Sequence, residues 1–176
     1  MQANMIARQH GWAEFISVQN HYNIIYREDE RELTQLVEKE GMSMTPYSPL
    51  AGGRVCRLPD YEKTKRSETD KVSAFKYGHE KENDTPIIQR IKEIADKLKV
   101  TMAQVSIAWL LNKKDVASPV VGCTKISQVE NLAEAVQIKL SEEDMKYLEE
   151  LYRPHRVVEP GNKNDPPLYN KVVAKK

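Results

Sequence analysis

The chain has 176 residues, 40% hydrophobic and 30% charged, with a formal net charge of +1. This is a folded, globular composition of one-domain length, and it excludes a disordered chain. It offers no global field to attract nucleic acid, and no run approaches the roughly 18 apolar residues of a membrane span.

Met1, Met5 and Ile6 recur at helical spacing and Gly11 follows as a stop, so residues 1–9 read as helix. No capping residue precedes Met1. The expectation is a chain that starts inside a helix, as a truncated polypeptide would. Phe15-Ile16-Ser17-Val18 reads as a buried strand. Leu33, Leu36 and Val37 give an amphipathic helix closed by Gly41. Residues 42–46 form a second strand candidate, stopped by Pro46 and Pro49. Residues 51–84 are dense in charge and carry no sustained period, which suggests a long functional loop with a short helix over 67–77. Thr85-Pro86 then reads as a helix start, with Ile88, Ile91, Ala95 and Leu98 as its apolar stripe. Thr101 and Gln104 make a capping box for a helix facing inward through Val105, Ala108, Trp109 and Leu111. Ser118 to Gly122 is a third strand candidate. A box at Ser127–Glu130 opens a helix with Val129, Leu132, Ala133 and Val136 inside. Ser141 caps a last helix with Met145, Leu148 and Leu151 inside. The proline-rich remainder reads as extended.

Strands alternating with helices imply an α/β fold with a parallel sheet, here three parallel strands with helices around them. Three strands are too few to close a barrel. Cys56 and Cys123 form no CxxC pair and read as reduced thiols of a cytoplasmic protein. His10, His21, His79 and His155 lack metal-ligand spacing and read as structural or surface residues. Glu28-Asp29-Glu30 reads as a helical first turn rather than a catalytic pair.

Ligands of parallel α/β folds bind at the C-terminal ends of strands. Three segments qualify. Gln19 offers an amide suited to a carboxamide. Tyr47 offers an aromatic face, and Ser48 to Gly53 a small-residue turn where backbone N–H groups can approach a pyrophosphate. Gly122-Cys123-Thr124-Lys125 runs into a helix N-terminus, an anion site with a hydroxyl and a cation added. Each segment taken singly reads equally well as an ordinary strand end, turn or connection. Their order on successive strand ends raises them together.

These segments resemble the aldo-keto reductases over residues 1 to about 155. The motifs are Ser17-Val18-Gln19-Asn20-His21-Tyr22-Asn23, Pro46-Tyr47-Ser48-Pro49-Leu50-Ala51-Gly52-Gly53 and Val121-Gly122-Cys123-Thr124-Lys125, with Ala103 to Leu111 similar to a penultimate-helix signature. They are most similar to the branch holding general aldo-keto reductases and potassium-channel β subunits. The resemblance implies a (β/α)₈ TIM barrel, of which residues 1–155 would be the C-terminal portion, with 156–176 an extended tail. It implies NADP(H) as cofactor and a small carbonyl substrate once an N-terminal half completes the pocket. Gln19 would hold the nicotinamide carboxamide and Tyr47 would stack on the ring. Ser48, Pro49, Leu50, Ala51 and Gly52 would line the pyrophosphate. Gly122, Cys123, Thr124 and Lys125 would meet the adenosine phosphate, with Gln128 and Asn131 near the adenine. The family often has Glu then Asn where Asn131 and Leu132 stand here.

The family's catalytic Asp, Tyr, Lys and His belong to earlier strands, and no residue here matches them. The chain alone is therefore expected to be inactive. Two other readings stay open: a non-catalytic NADP(H)-binding regulatory module, and a half-barrel that acts only by oligomerising. Unpaired edges near 15–19 and 118–122 predict self-association.

Overall fold

The computed structural model describes residues 1–59, 75–77 and 81–156. Helix α1 spans Gln2–His10, followed by strand β1 at Ser17–Val18. A 3₁₀ turn at Glu28–Arg31 leads into α2, Leu33–Glu40, and then β2, Ser43–Met44. A second 3₁₀ stretch covers Ala51–Cys56. Helices α3 (Lys81–Leu98), α4 (Met102–Leu111) and α5 (Ile126–Ala133) follow. A 3₁₀ turn at Glu134–Gln137 precedes α6, Glu142–Glu149. Among the described residues, no helix is long and apolar enough to cross a membrane.

β1 and β2 pair in parallel, Ser17 opposite Ser43 and Val18 opposite Met44. The predicted third strand lies parallel beside β2, through bridges from Met44 to Val116 and from Tyr47 to Val120. It begins earlier than its sequence pattern suggests: the Met44 N–H donates to Asp115 O and the Ala117 N–H to Met44 O. The contact is two bridges rather than a ladder because Pro46 and Pro119 have no N–H to offer. The fold is thus α/β, helix-rich, with a small parallel sheet.

Local capping reads out as expected in four places. Gly11 and Gly41 end α1 and α2 in the left-handed conformation, at φ 68° and 63°. Thr101 with Gln104 and Ser141 with Asp144 form capping boxes on α4 and α6. α4 is buried from Gln104 through Leu110 and forms the spine of the core, packing on α3 and the stretch 51–56. Trp109, Tyr22, Ile24, Ile25, Ile91 and Leu148 fill the space around it.

Five expectations are corrected. Phe15 and Ile16 are not buried: they stand 66% and 79% exposed just before β1, where the Asn4 side chain bonds the Phe15 N–H and C=O. α3 starts at Lys81, not at Thr85-Pro86; the Thr85 hydroxyl donates back to Lys81 O at 2.7 Å, and Pro86 sits inside the helix. A proline there only removes a bond to the helix's second residue, so an extra turn forms upstream. The box on α5 is set two residues earlier, with the Gln128 side chain accepting from the Lys125 N–H at 3.3 Å. Finally, α5 buries none of its residues, and Val129 and Val136 are 54% and 64% exposed. Leu151 likewise lies beyond α6 and is exposed. Of the helix expected over 67–77, residues 75–77 are helical and 67–74 lie outside the described residues, as do His79 and residues 157–176.

Candidate functional site

The parallel register carries three strand ends to one edge. The Ser43 N–H donates to Ile16 O, Thr45 N–H to Val18 O and Tyr47 N–H to Asn20 O, the last at 2.8 Å. His21 bridges Tyr47, and Tyr47 bridges Val120. Residues 19–22, 47–53 and 121–125 therefore leave the sheet side by side.

Beneath this edge lies a buried polar corner. His21 stacks on Tyr26 and Tyr47, with ring centroids 4.1 and 5.1 Å apart. Its Nε2 shares a 2.6 Å hydrogen bond with the Tyr77 hydroxyl. Burial, reinforced by the charges of Lys76 and His155, holds the imidazole pKa down to about 3, so the ring is neutral. Burial also raises the Tyr77 hydroxyl above the ordinary tyrosine range. Asn23 is wholly enclosed. Its amide donates to Ser48 O at 3.0 Å and to the Tyr77 hydroxyl at 3.1 Å, while its Oδ1 accepts from the Ile25 N–H at 3.1 Å.

Above the corner, residues 48–53 turn sharply. Ser48, Ala51, Gly52 and Gly53 all have positive φ, at 55°, 49°, 66° and 90°. Two of these are not glycine, and such strain gathers where a backbone must present groups to a ligand. The Ala51 N–H donates to Ser48 O and the Gly53 N–H to Leu50 O, closing successive turns. Across the edge, Gln128 Oε1 accepts from the Thr124 and Lys125 N–H groups at 2.9 and 3.3 Å. Those bonds pin the connection to the first turn of α5.

The expected site residues thus differ in setting. Pro49 and Ala51 are buried; Tyr47, Ser48, Leu50, Gly52 and Cys123 are half-buried. Gln19, Gly122, Thr124, Lys125 and Gln128 are exposed. Asn131 is turned toward α4, where its Oδ1 accepts from the Thr101 hydroxyl at 3.0 Å. Sequence reasoning missed Asn23 and Tyr77. The only sequence signal for them was a polar residue directly after the motif's tyrosine, because their partnership spans 54 positions. A separate cleft between α6 and Arg27 contains none of these residues. Three of its charged residues pair with neighbours outside the lining: Arg27 with Glu30 at 2.6 Å, Glu149 with Lys113 at 2.5 Å and Glu150 with Arg90 at 2.6 Å.

Comparison with known proteins gives these features a lineage. The aldo/keto reductase family model matches residues 1–153. The chain is 40% identical over 159 residues to the versiconal hemiacetal acetate reductase of Aspergillus parasiticus, covering 90% of this chain and 46% of that protein. It is 37% identical over 152 residues to an aldo-keto reductase of Fusarium vanettenii, covering 86% and 40%. The crystal structure of a thermostable aldo-keto reductase bound to the inhibitor epalrestat superposes with a TM-score of 0.55 at 27% identity, covering 78% of this chain and 40% of that one. The chain spans less than half the length of these relatives.

Proposed function

Because the chain belongs to the aldo/keto reductase family, we propose that it forms the cofactor-holding part of an NADP(H)-dependent reductase of aldehydes and ketones. In this reading residues 1–155 are the last three strands of a (β/α)₈ barrel with their helices, and 156–176 are a tail. The observation that carries the reading is the side-by-side exit of three strand ends at His21, Tyr47 and Val120.

The residues fit an extended dinucleotide. The turn at 48–53 has positive φ at four of its six positions, a backbone shape suited to presenting main-chain groups to an anion. A Cβ built on Gly53 or Gly122 meets nothing within 4 Å, so the approaches at both are open. No Asp or Glu occurs in 45–57 or 117–128, while Arg54, Arg57 and Lys125 do. That balance suits phosphates. Gln19 would take the carboxamide, Tyr47 the nicotinamide ring, Ser48 to Gly52 the pyrophosphate. Gly122 to Lys125 would take the adenosine phosphate, with Gln128 and Asn131 beside the adenine. When bound, the reduced nicotinamide supplies a hydride to a carbonyl carbon. This chain's residues orient that ring, but none is assigned the proton transfer.

The open apolar faces support a second element of the proposal, self-association or pairing with a complementary half. Trp12, Phe15 and Ile16 line one side, 63–79% exposed, and Ile126, Val129 and Val136 the other, 54–79% exposed. Titration with NADPH tests the core of the reading. Saturable binding, weakened about tenfold or more by Tyr47→Ala, is expected, since base–aromatic stacking is worth about 1–3 kcal/mol. Carbonyl reduction by the chain alone should be negligible. Absence of NADPH binding overturns the proposal.

A further inference from the structure

The strained turn at 48–53 has a structural cause on a different strand end. Ser48 is not glycine, yet its φ is 55°. For a residue with a Cβ this conformation is costly and persists only where surrounding bonds enforce it. Its carbonyl accepts two hydrogen bonds. One comes from the Ala51 N–H at 3.0 Å, within the turn, and the other from the Asn23 amide at 3.0 Å, outside it. Asn23 is itself fixed. The Asn23 and Tyr26 backbones exchange N–H···O bonds at 3.1 and 3.0 Å. Its Oδ1 caps Ile25, and its second amide hydrogen goes to Tyr77. A fully enclosed asparagine with every bond made is a rigid donor, because moving it would leave buried polar groups unpaired.

We propose that Asn23 is a positioning residue for cofactor binding: it holds the Ser48 carbonyl so that residues 48–52 keep the upturned backbone that receives the pyrophosphate. The inference rests on the reading of 48–52 as the pyrophosphate turn. Tyr77 has a lesser part: it steadies Asn23 from behind and meets the Ser48 side chain, not the carbonyl that Asn23 holds. His21 supports the neighbouring Tyr47 ring by stacking and completes the same corner.

A double-mutant cycle tests it. Asn23→Ala should weaken NADPH binding about tenfold, the scale of one lost directional bond that also fixes a backbone. Ser48→Gly allows positive φ without help. In that background Asn23→Ala should cost less than about threefold. Tyr77→Phe keeps the Asn23 bond to the Ser48 carbonyl but removes the hydroxyl's bond to Asn23 and its contact with the Ser48 side chain, so it should cost less than Asn23→Ala in the native background. If Asn23→Ala melts too low for titration, Asn23→Ser keeps an acceptor for the Ile25 N–H and is read the same way. A general structural role would give the same loss in both backgrounds, which overturns the proposal, as does wild-type affinity in Asn23→Ala. Failure of the unmutated chain to bind NADPH would instead remove the function proposed above, and this inference with it.

Discussion

The two ends of the candidate site are built in opposite ways. Around Tyr47 the chain is enclosed: Tyr22, Asn23, Ile24 and Ile25 are at most 1% exposed, and a buried histidine stacks on the ring. From Val120 to Ala133 it is more open, and α5 buries none of its residues. The first region is held by long-range hydrogen bonds throughout; in the second, Gln128 folds back on its own helix start, and the long-range bonds, from Thr101 and Gln104, reach only Asn131 and Glu134. The end around Tyr47, proposed to take the nicotinamide, is therefore the more rigidly built of the two, while residues 122–128, proposed to take the adenosine phosphate, are positioned by local capping. Substitutions in the two regions should differ in kind as well as size.

The largest difference is expected in stability. Trp109 lies under the enclosed corner, its ring 5.4 Å from Tyr22 and its indole N–H donating to Glu149 at 2.9 Å. Trp109→Ala should cost about 3–5 kcal/mol in chemical denaturation, as for other large buried aromatics. A loss under about 1 kcal/mol would show that the corner is not the stable region.

Next comes pH. His21 is neutral when folded, with its pKa near 3 instead of 6.5. Because the folded value is depressed, the unfolded chain binds the extra proton between these two values. Stability from this group is fully present above about pH 6.5 and is lost as pH falls toward 3, by up to about 4 kcal/mol. His21→Phe keeps an aromatic stack but should flatten the slope between about pH 6.5 and 4.5, where carboxylates contribute least. An unchanged slope would mean that His21 does not set it.

The smallest stability effect belongs to the open arm. Ile126→Ser with Val129→Ser removes side chains that are 79% and 54% exposed, so stability should change by about 0.5 kcal/mol or less per site. Light scattering should nevertheless show reduced association. A large loss of stability, with association unchanged, would place these residues in a core instead.

The same contrast explains what was legible in the sequence. Caps are local chemistry, so Gly11, Gly41, Thr101 and Ser141 mark helix ends by residue type and spacing alone. Parallel order was legible from alternating patterns, and the strand-end motifs from their order. The stripe of α5 has the right spacing for burial, but spacing cannot say what covers it, and among the described residues only Leu132 of the stripe is half-buried. Thr85-Pro86 signals a helix start equally well when one more turn forms in front. Asn23 stood in a strand-end motif, but its role and that of Tyr77 were not legible, because their value lies in bonds between distant positions, which no periodicity encodes.

The central claim is that the cofactor lies along one sheet edge, from the enclosed corner to the open arm. Backbone amide NMR during NADPH titration tests it most directly. Shifts are predicted for residues 19–21, 47–53 and 122–128, with the cleft between Arg27 and α6 silent. Saturable shifts centred on that cleft, or none along the strand ends, would contradict the account.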